Sequence, residues 1–346
     1  MHEFARRTTD DRAAYFAEAA ARRSVQAWMM EKDFWVCWLL QELFQLDPLH
    51  DHLVFKGGTS LSKVFGVIRR FSEDIDLSVS PQLLGIEENW LEDAPNPTQL
   101  EKRKKKLEAA CIAAVHERFG PLLTAAITAR LGTPSAEGWI LEERLDDTSQ
   151  SPTLVFRYPA AARYGGYVRA EVKIEFGSLT DQRPTGSHTV TPMVAEEFPT
   201  AFSHARVPVV ALEAERTFWE KATILHAEYH RHEGLPMRER YSRHYYDLAA
   251  LALHPLGRQS LLRLDLLARV VRHKSRFFAS AWASYNTARP GTLRLVPPPF
   301  RLKELEADYA VMAEMFMGAA PTFAHVLETL RAVEAEINAQ GAAPPP

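Results

Sequence analysis

The sequence has few of the features that mark secreted, membrane-spanning or nucleic-acid-coating proteins. Only two of its 346 residues are cysteines. Cys37 and Cys111 both lie in apolar, helix-like patterns, which excludes a disulfide framework and indicates a reducing compartment. No apolar run approaches the length of a membrane span, and the first residues run directly into charged positions, so we expect a cytoplasmic protein with no membrane partner. The net charge of −3 excludes a basic coat over the whole surface, so any site for a polyanion must be local.

The composition is that of a large globular protein. Hydrophobic residues make up 46% of the chain and charged residues 25%, which are ordinary values. Because 346 residues exceed the usual size of a single core, we predict two domains, with one elaborated domain as the alternative. The predicted division is a domain over residues 1–207 with helices at its N-terminus, a helical domain over residues 208–340, and a disordered tail over residues 341–346.

Helix and strand periods alternate in the N-terminal part of the chain. The pattern predicts two helices within residues 10–45, a strand at 53–55, a helix at 59–65 and a strand at 75–79. After an irregular stretch, Thr98 and Glu101 have the spacing of a capping box, and a long helix is predicted from there to about residue 130.

The remainder of the chain changes from strands to helices. A hairpin is predicted, with strands at 154–156 and 167–176 and a turn at 164–166. Residues 177–207 are predicted to be loop-rich with one short helix near 194–198. The predicted helices beyond them cover residues 212–230, 240–253, 261–283, 302–317 and 321–339.

The most informative stretch is a pair of glycines followed by two aspartates. The segment FKGGTSL at residues 55–61 places Gly57 and Gly58 after the first short strand, and RFSEDIDL at residues 70–77 places Asp74 and Asp76 on the next. Because side chains alternate across a strand, both aspartates project from one face. At about 4 Å and an effective dielectric of about 20 they repel by roughly 4 kcal/mol, so such a pair tends to share a proton or hold a divalent cation.

Glycines beside a carboxylate pair indicate phosphate chemistry. A magnesium ion bound by carboxylates keeps positions free for phosphate oxygens, and glycines allow backbone amides to approach those oxygens closely. The alternative is a surface strand with a solvated Asp-x-Asp, but the adjacent Gly-Gly turn favours the functional interpretation. The sequence therefore predicts metal-assisted nucleotide chemistry.

A third carboxylate is available on the second strand of the predicted hairpin. Val172, Ile174 and Phe176 form one face of this strand, while Lys173 and Glu175 lie on the other. Glu175 can therefore join a polar surface shared with the aspartates and complete a metal-dependent phosphoryl site. Taken alone, it would be a routine exposed residue of a strand.

With these residues assembled, the chain resembles the AbiEii/AbiGii family of abortive-infection nucleotidyltransferases, which are toxins of type IV toxin-antitoxin systems. The stretches that carry the resemblance are EKDF at 31–34, FKGGTSL at 55–61, RFSEDIDL at 70–77, ERTFWEK at 215–221 and RHYYDL at 243–248. The resemblance implies an α/β (α+β) fold of the polymerase-beta-like nucleotidyltransferase type, with a mixed sheet flanked by helices and a helical domain after it.

The resemblance also implies roles for individual residues. Asp74 and Asp76 match the family's metal-binding pair, and Glu175 is assigned as the third metal ligand by its order and context. Lys221 matches a lysine in a helix after the sheet, and Asp247 matches the last acidic position; both join the three carboxylates as predicted catalytic residues. The predicted nucleotide-binding residues are Lys56, Gly57, Gly58, Thr59, Ser60 and Lys221.

Lys221 and Asp247 each have a structural alternative. Lys221 lies among apolar residues, so its ammonium group either reaches toward a phosphate or lies at the surface beyond its apolar stem. Asp247 follows Arg243 by four residues, which is also the spacing of an ordinary helix ion pair. The catalytic role of Asp247 comes from the resemblance.

The predicted function is transfer of a nucleoside monophosphate from a nucleoside triphosphate, with one or two Mg²⁺ ions on Asp74, Asp76 and Glu175. The resemblance implies RNA, at the 3′ end of a transfer RNA, as the acceptor and an antitoxin protein as a further partner. The alternatives are transfer to a hydroxyl of a protein or small molecule, a catalytically silent nucleotide- or RNA-binding module, and a housekeeping role outside any toxin-antitoxin pair.

Overall fold

The computed structural model describes residues 1–147, 149–165 and 168–341. The chain divides into two units. The first unit comprises Met1–Val64 and Phe71–Ala211, and the second comprises Phe65–Arg70 and the chain from Leu212 onward. None of the helices in the described part of the chain has the length and apolar character needed to cross a bilayer.

A seven-stranded mixed sheet forms the centre of the first unit, in the order β3-β4-β5-β2-β1-β7-β6. Its strands are β1 (Leu53–Lys56), β2 (Ile75–Val79), β3 (Ile140–Leu145), β4 (Pro152–Arg157), β5 (Glu171–Gly177), β6 (Thr185–Val190) and β7 (Val207–Leu212). The central strand β2 runs antiparallel to β1 and parallel to β5, which places the two strands predicted to carry the carboxylates side by side.

Strand alternation explains which face of the sheet stays polar. On β5, Val172, Ile174 and Phe176 are fully buried, whereas the intervening side chains are partly exposed. On β2, Ile75 and Leu77 are fully buried and Asp76 is partly exposed. The apolar side chains therefore join the core, and the charged ones share the opposite face.

The helices of the first unit are α1 (His2–Ala5), α2 (Thr9–Arg23), α3 (Ala27–Leu43), α4 (Gly57–Lys63), α5 (Pro97–Ala114), α6 (Gly120–Leu131) and α7 (Met193–Glu197). Helix α3 is buried on nearly all sides, and its Trp35 stacks on Tyr158 with ring centroids 5.4 Å apart. Helices α5 and α6 are joined by a π-helical turn before Pro121, whose missing N–H cannot continue the regular hydrogen-bond ladder.

The second unit is helical. Its helices are α8 (Ala214–Tyr229), α9 (Ser242–Leu253), α10 (Pro255–Ser260), α11 (Leu264–Phe277), α12 (Leu302–Val311) and α13 (Phe323–Ala339). The segment Phe65–Arg70 is hydrogen-bonded into it, because the Arg69 N–H donates to the Tyr246 hydroxyl at 3.0 Å and the Met317 N–H donates to the Arg69 carbonyl at 2.8 Å.

The mixed α/β sheet flanked by helices and the helical region after it are confirmed, but several details differ from expectation. The predicted capping box at Thr98 and Glu101 is wrong: Asn96 caps α5 by accepting from the Gln99 N–H at 2.9 Å, and Pro97 is well suited to the first helical position. Helix α4 begins at Gly57, and the helix predicted over 261–283 ends at Phe277.

Three strands and one strand boundary also differ. Strands β3, β6 and β7 were absent from the sequence prediction, and β5 begins at Glu171, four residues later than expected. The predicted turn at 164–166 and the strand start at 167 include Gly166 and Tyr167, which lie outside the described residues, as does the predicted tail from residue 342. The two units separate after Ala211, within β7, and the division at 207/208 stays a prediction.

Candidate active site

Asp76 and Glu175 lie opposite each other on neighbouring parallel strands. The β2–β5 register pairs Asp76 with Glu175, and the β1–β2 register pairs Lys56 with Asp76. Paired residues of adjacent strands project from the same face, so these charged side chains form a row across the sheet. We refer to this row, together with Asp74 and Lys173, as the acidic face.

Asp74 lies immediately before β2 and is held by a hydrogen bond to its backbone. The hydroxyl of Thr59, near the start of α4, donates to the carbonyl of Asp74 and lies 3.0 Å from the hydroxyl of Ser72. Thr59 is buried, and the Ser60 hydroxyl donates to the Gly57 carbonyl at 3.1 Å. The polar groups of these two residues therefore hold the glycine turn and the segment that carries Asp74.

Gly57 lies directly against the carboxylate of Asp76. Its φ of +82° is in the left-handed region, and a Cβ at this position would overlap Oδ2 of Asp76 and lie 2.9 Å from its Cγ. Glycine is therefore needed twice, for its backbone conformation and for the space that the carboxylate occupies. The Gly57 backbone and Asp76 form one unit of the site.

We expect Gly57→Ala to lower the rate of nucleotidyl transfer by about a hundredfold, since displacing a catalytic group by about 1 Å has an effect of that size. The substitution also costs roughly 1–3 kcal/mol of stability from the positive φ. Steady-state transfer assays and urea unfolding measure the two effects separately.

Gly85→Ala is the matched control, because Gly85 has a φ of +72° and no atom within 4 Å of the added Cβ. It should carry a similar backbone cost with full activity. Equal losses of activity in the two variants would show that the contact with Asp76 has no catalytic importance.

A lysine, which the sequence analysis did not assign to the site, also lies on the acidic face. The Nζ of Lys173 donates a short hydrogen bond to the Asp146 carboxylate and lies 3.6 Å from Oε2 of Glu175. Burial lowers the pKa of Lys173, but the hydrogen bond to Asp146 and the charges of Glu175, Asp146 and Asp74 outweigh it and raise the pKa above its ordinary value. Lys173 therefore lies against Glu175, and Asp74 is near enough to act on the ammonium group electrostatically.

The donor set of the acidic face fits a hard divalent cation, because it consists of carboxylate oxygens from Asp74, Asp76 and Glu175. Within residues 1–147, 149–165 and 168–341, however, no three His, Cys, Asp or Glu side chains already converge around one point as metal ligands. Lys173 and the Ser149 hydroxyl, 3.3 Å from Oε1 of Glu175, hold the Glu175 carboxylate in its present position. A metal ion would draw these carboxylates together.

Lys221 and Asp247 lie together inside the second unit, and Arg70 joins them. The Asp247 carboxylate is fully buried and accepts from Arg70 Nε at 2.7 Å, Arg70 Nη2 at 2.8 Å and Lys221 Nζ at 2.8 Å. Burial raises the pKa of Asp247, but the charges of Arg70 and Lys221 outweigh it and hold the pKa well below its ordinary range. Burial, and after it the charge of Arg70, lowers the pKa of Lys221, although Asp247 opposes the change.

Residues 38–332 match the family model described as the nucleotidyl transferase AbiEii toxin of type IV toxin-antitoxin systems. The chain belongs to the AbiEii family. It is therefore a nucleotidyltransferase toxin, whose substrate is a nucleotide and whose system includes an antitoxin.

The solved structures and the curated proteins do not extend this assignment. Among solved structures, the chain is similar to MenT4, a nucleotidyltransferase toxin from Mycobacterium tuberculosis H37Rv, with 15% sequence identity and a TM-score of 0.41 over 87% of this chain and 98% of that one. No curated protein matches the chain.

Three consecutive charged residues of α3 hold the segments around the acidic face of this AbiEii protein. The Glu31 carboxylate accepts from the backbone N–H groups of Ala161 and Ala162, each at 2.8 Å. Lys32 forms a short ion pair with Glu73, next to Asp74. These contacts fix the backbone at Ala161 and Ala162 and the segment before β2.

Asp33 completes the set by holding α4. Its Oδ1 lies 2.6 Å from Nζ of Lys63, at the last residue of α4, and its Oδ2 accepts from the Met193 N–H at 2.6 Å. Buried charges persist where each has a partner, as these do. The EKDF stretch of the AbiEii resemblance therefore positions the site, a role that the sequence did not reveal.

Sequence reasoning missed Lys173, Asp146 and Arg70 as residues of the two clusters. Lys173 had a detectable signal, because it lies two residues before Glu175 on the same face of the strand. Arg70 is the first residue of the segment RFSEDIDL, and the sequence assigned it no role of its own. Asp146 lies in the loop after β3, a strand that was not predicted, so the sequence offered no signal for its proximity.

Proposed function

We propose that this toxin transfers a nucleoside monophosphate from a nucleoside triphosphate to RNA, with the 3′ end of a transfer RNA as the acceptor. The observation that supports the proposal most directly is the pairing of Asp76 with Glu175 across β2 and β5, beside a Gly57 backbone that touches the Asp76 carboxylate. Carboxylates from two strands next to a glycine turn are suited to holding a cation and a phosphate chain at adjacent positions.

We assign the metal ligands as Asp74, Asp76 and Glu175, with Mg²⁺ as the ion. When bound, Mg²⁺ neutralises charge on phosphate oxygens and orients the reacting groups. The protein's own groups keep two of the three carboxylates in place: Thr59 holds the Asp74 backbone, and Gly57 leaves the space that the Asp76 carboxylate needs.

The nucleotide is assigned to the turn at residues 56–60. The Gly57 and Gly58 amides approach the phosphates without obstruction from side chains, and the Lys56 ammonium lies on the acidic face beside Asp76. The buried hydroxyls of Thr59 and Ser60 act by holding this turn in shape. Positive charge at Lys56 attracts the triphosphate to a face that would otherwise repel it.

Lys221 and Asp247 are proposed as catalytic residues on the family pattern. The arrangement with Arg70 supports a role in positioning, because Asp247 fixes the Lys221 ammonium by an ion pair of 2.8 Å. An ammonium group so fixed can meet a phosphate without first losing side-chain freedom.

We also propose residues 1–207 as the nucleotidyltransferase domain and residues 208–340 as the helical domain.

The reaction is tested with the purified chain, Mg²⁺, transfer RNA and each of the four nucleoside triphosphates carrying a ³²P label at the α-phosphate. We expect label on the RNA with at least one nucleotide and no label when EDTA is present. Transfer RNA whose 3′-terminal diol has been oxidised with periodate is the matched control, because it differs only at the proposed acceptor.

Other outcomes would identify a different acceptor or activity. Label on the chain itself or on a metabolite, with unlabelled RNA, would contradict the RNA acceptor and favour transfer to a protein or small-molecule hydroxyl. Nucleotide binding without pyrophosphate release would favour a silent binding module.

We propose the cytoplasm as the place of action, since Cys37 and Cys111 are free and buried.

A further inference from the structure

Lys173 places a permanent positive charge among the carboxylates of the acidic face. It projects from the same face of β5 as Glu175, two residues away, and its Nζ lies 3.6 Å from Oε2 of that residue. Asp74, immediately before the neighbouring strand, also interacts with this ammonium group electrostatically. Lys173 therefore supplies part of the positive charge that offsets the repulsion between the carboxylates of this face.

Asp146 holds Lys173 in this position. It follows β3, and its carboxylate forms a short ion pair with Nζ of Lys173. The loop that contains Asp146 is also closed locally, because the Ser149 N–H and hydroxyl donate to Asp146 Oδ1 at 2.8 and 3.0 Å. An anchored ammonium group of this kind cannot move far from the carboxylates without breaking these contacts.

The balance of charge on this face limits how many divalent ions it accepts. The carboxylates of the acidic face are Asp74, Asp76 and Glu175, and the anchor of Lys173, Asp146, is counted with them as a fourth. The ammonium groups are Lys173 and Lys56, which pairs with Asp76 across β1 and β2. Four negative and two positive groups leave two negative charges, which is the charge that one divalent cation cancels. Lys173 would repel any divalent ion brought to this face, and once a first ion has cancelled the negative charge, no attraction remains to offset that repulsion for a second.

We propose that Lys173, anchored by Asp146, is a resident cation of the acidic face and restricts this face to one divalent ion when no nucleotide is bound. The inference rests on the proposed metal-dependent function and makes it more specific. Lys173 acts here as a positioning residue, since its Nζ lies 3.6 Å from Oε2 of Glu175 and sets the charge that a metal ion encounters.

The test counts bound Mn²⁺ by electron paramagnetic resonance and isothermal titration calorimetry, on the whole chain without nucleotide. The wild-type chain is expected to bind one Mn²⁺, and Lys173→Met is expected to bind Mn²⁺ at least about tenfold more tightly or to accept a second ion, because an ammonium group a few Å away has been removed. Lys173→Arg keeps the charge and should keep the wild-type stoichiometry. Lys105→Met, an exposed lysine on α5, is the control for loss of one positive charge elsewhere.

Two ions on the wild-type chain, no bound ion, or equal affinity in Lys173→Met and Lys105→Met would each overturn the inference. The wild-type count needs no variant, so a count of two ions or of none overturns the inference even if Lys173→Met fails to fold. The result is also separable from the transfer assay: one bound ion with no labelled RNA leaves this inference standing and contradicts the acceptor, whereas labelled RNA with two bound ions does the reverse.

Discussion

Asp76→Ala is expected to lower the rate of nucleotidyl transfer by at least about a thousandfold, which corresponds to about 4 kcal/mol of transition-state stabilisation. Asp76 has a central position on the acidic face, since it pairs with Lys56 on one side and Glu175 on the other. Its removal deprives the proposed metal ion of a ligand and leaves the Gly57 backbone without its neighbour. Single-turnover assays with saturating triphosphate and Mg²⁺ measure the effect.

The stability of the same variant separates a catalytic role from a structural one. The Asp76 carboxylate lies among other carboxylates, so its loss relieves repulsion, and the melting temperature without Mg²⁺ should be equal to or higher than that of the wild type. Asp51→Ala, which removes a carboxylate whose side chain is 81% exposed, is the control and should change neither quantity. A melting temperature that falls in parallel with activity would show that Asp76 serves the fold.

The part of the site that could be predicted from the sequence depends on local rules. Alternation along β2 and β5 places Asp76 and Glu175 on polar faces, and the structure pairs them in register across adjacent strands. Glycines before a carboxylate-bearing strand also predict a close approach of the backbone to phosphate oxygens, which stays a prediction, whereas the contact between Gly57 and the Asp76 carboxylate was not predicted. Predictions of this kind can be made from the residues of short segments alone.

The contacts that escaped prediction join segments far apart in sequence. Glu31 reaches the loop at 161–162, and Arg70 reaches Asp247, so each pair depends on the tertiary fold. Strand β6 was missed because its residues are mostly polar and it lies at the edge of the sheet, where no apolar alternation is required. Strand β7 was missed because Pro208 weakens the strand signal of an otherwise apolar run.

The sequence pattern of α3 did not reveal that its charged residues are buried. Lys32 and Asp33 are almost fully buried in a helix that is buried on nearly all sides, so no hydrophobic period distinguishes their face. Charged residues inside such a helix indicate buried ion pairs, since an unpaired charge there would be too costly. The partners, Glu73 and Lys63, are visible only in the folded chain.

The second large effect is expected from Asp247→Asn, which should lower the free energy of unfolding by about 3–5 kcal/mol. The substitution keeps the shape of the side chain but leaves two buried cations, Arg70 and Lys221, without their shared carboxylate. Urea unfolding followed by tryptophan fluorescence measures the loss. The pH dependence has a defined sign: folding holds the Asp247 pKa below its ordinary value of 3.8, so its stabilisation is complete above that pH and is lost as the pH falls through the lower, folded-state pKa.

Two comparisons decide whether this energy belongs to the buried ion network. Asp265→Asn breaks an ion pair with Arg263 at 2.8 Å in which both side chains are about half exposed or more, and it should cost less than about 1 kcal/mol. The triple variant Arg70→Met, Lys221→Met, Asp247→Leu should regain most of the stability lost in Asp247→Asn, because no unpaired charge remains buried. If Asp247→Asn cost no more than Asp265→Asn, the buried carboxylate would have no structural role.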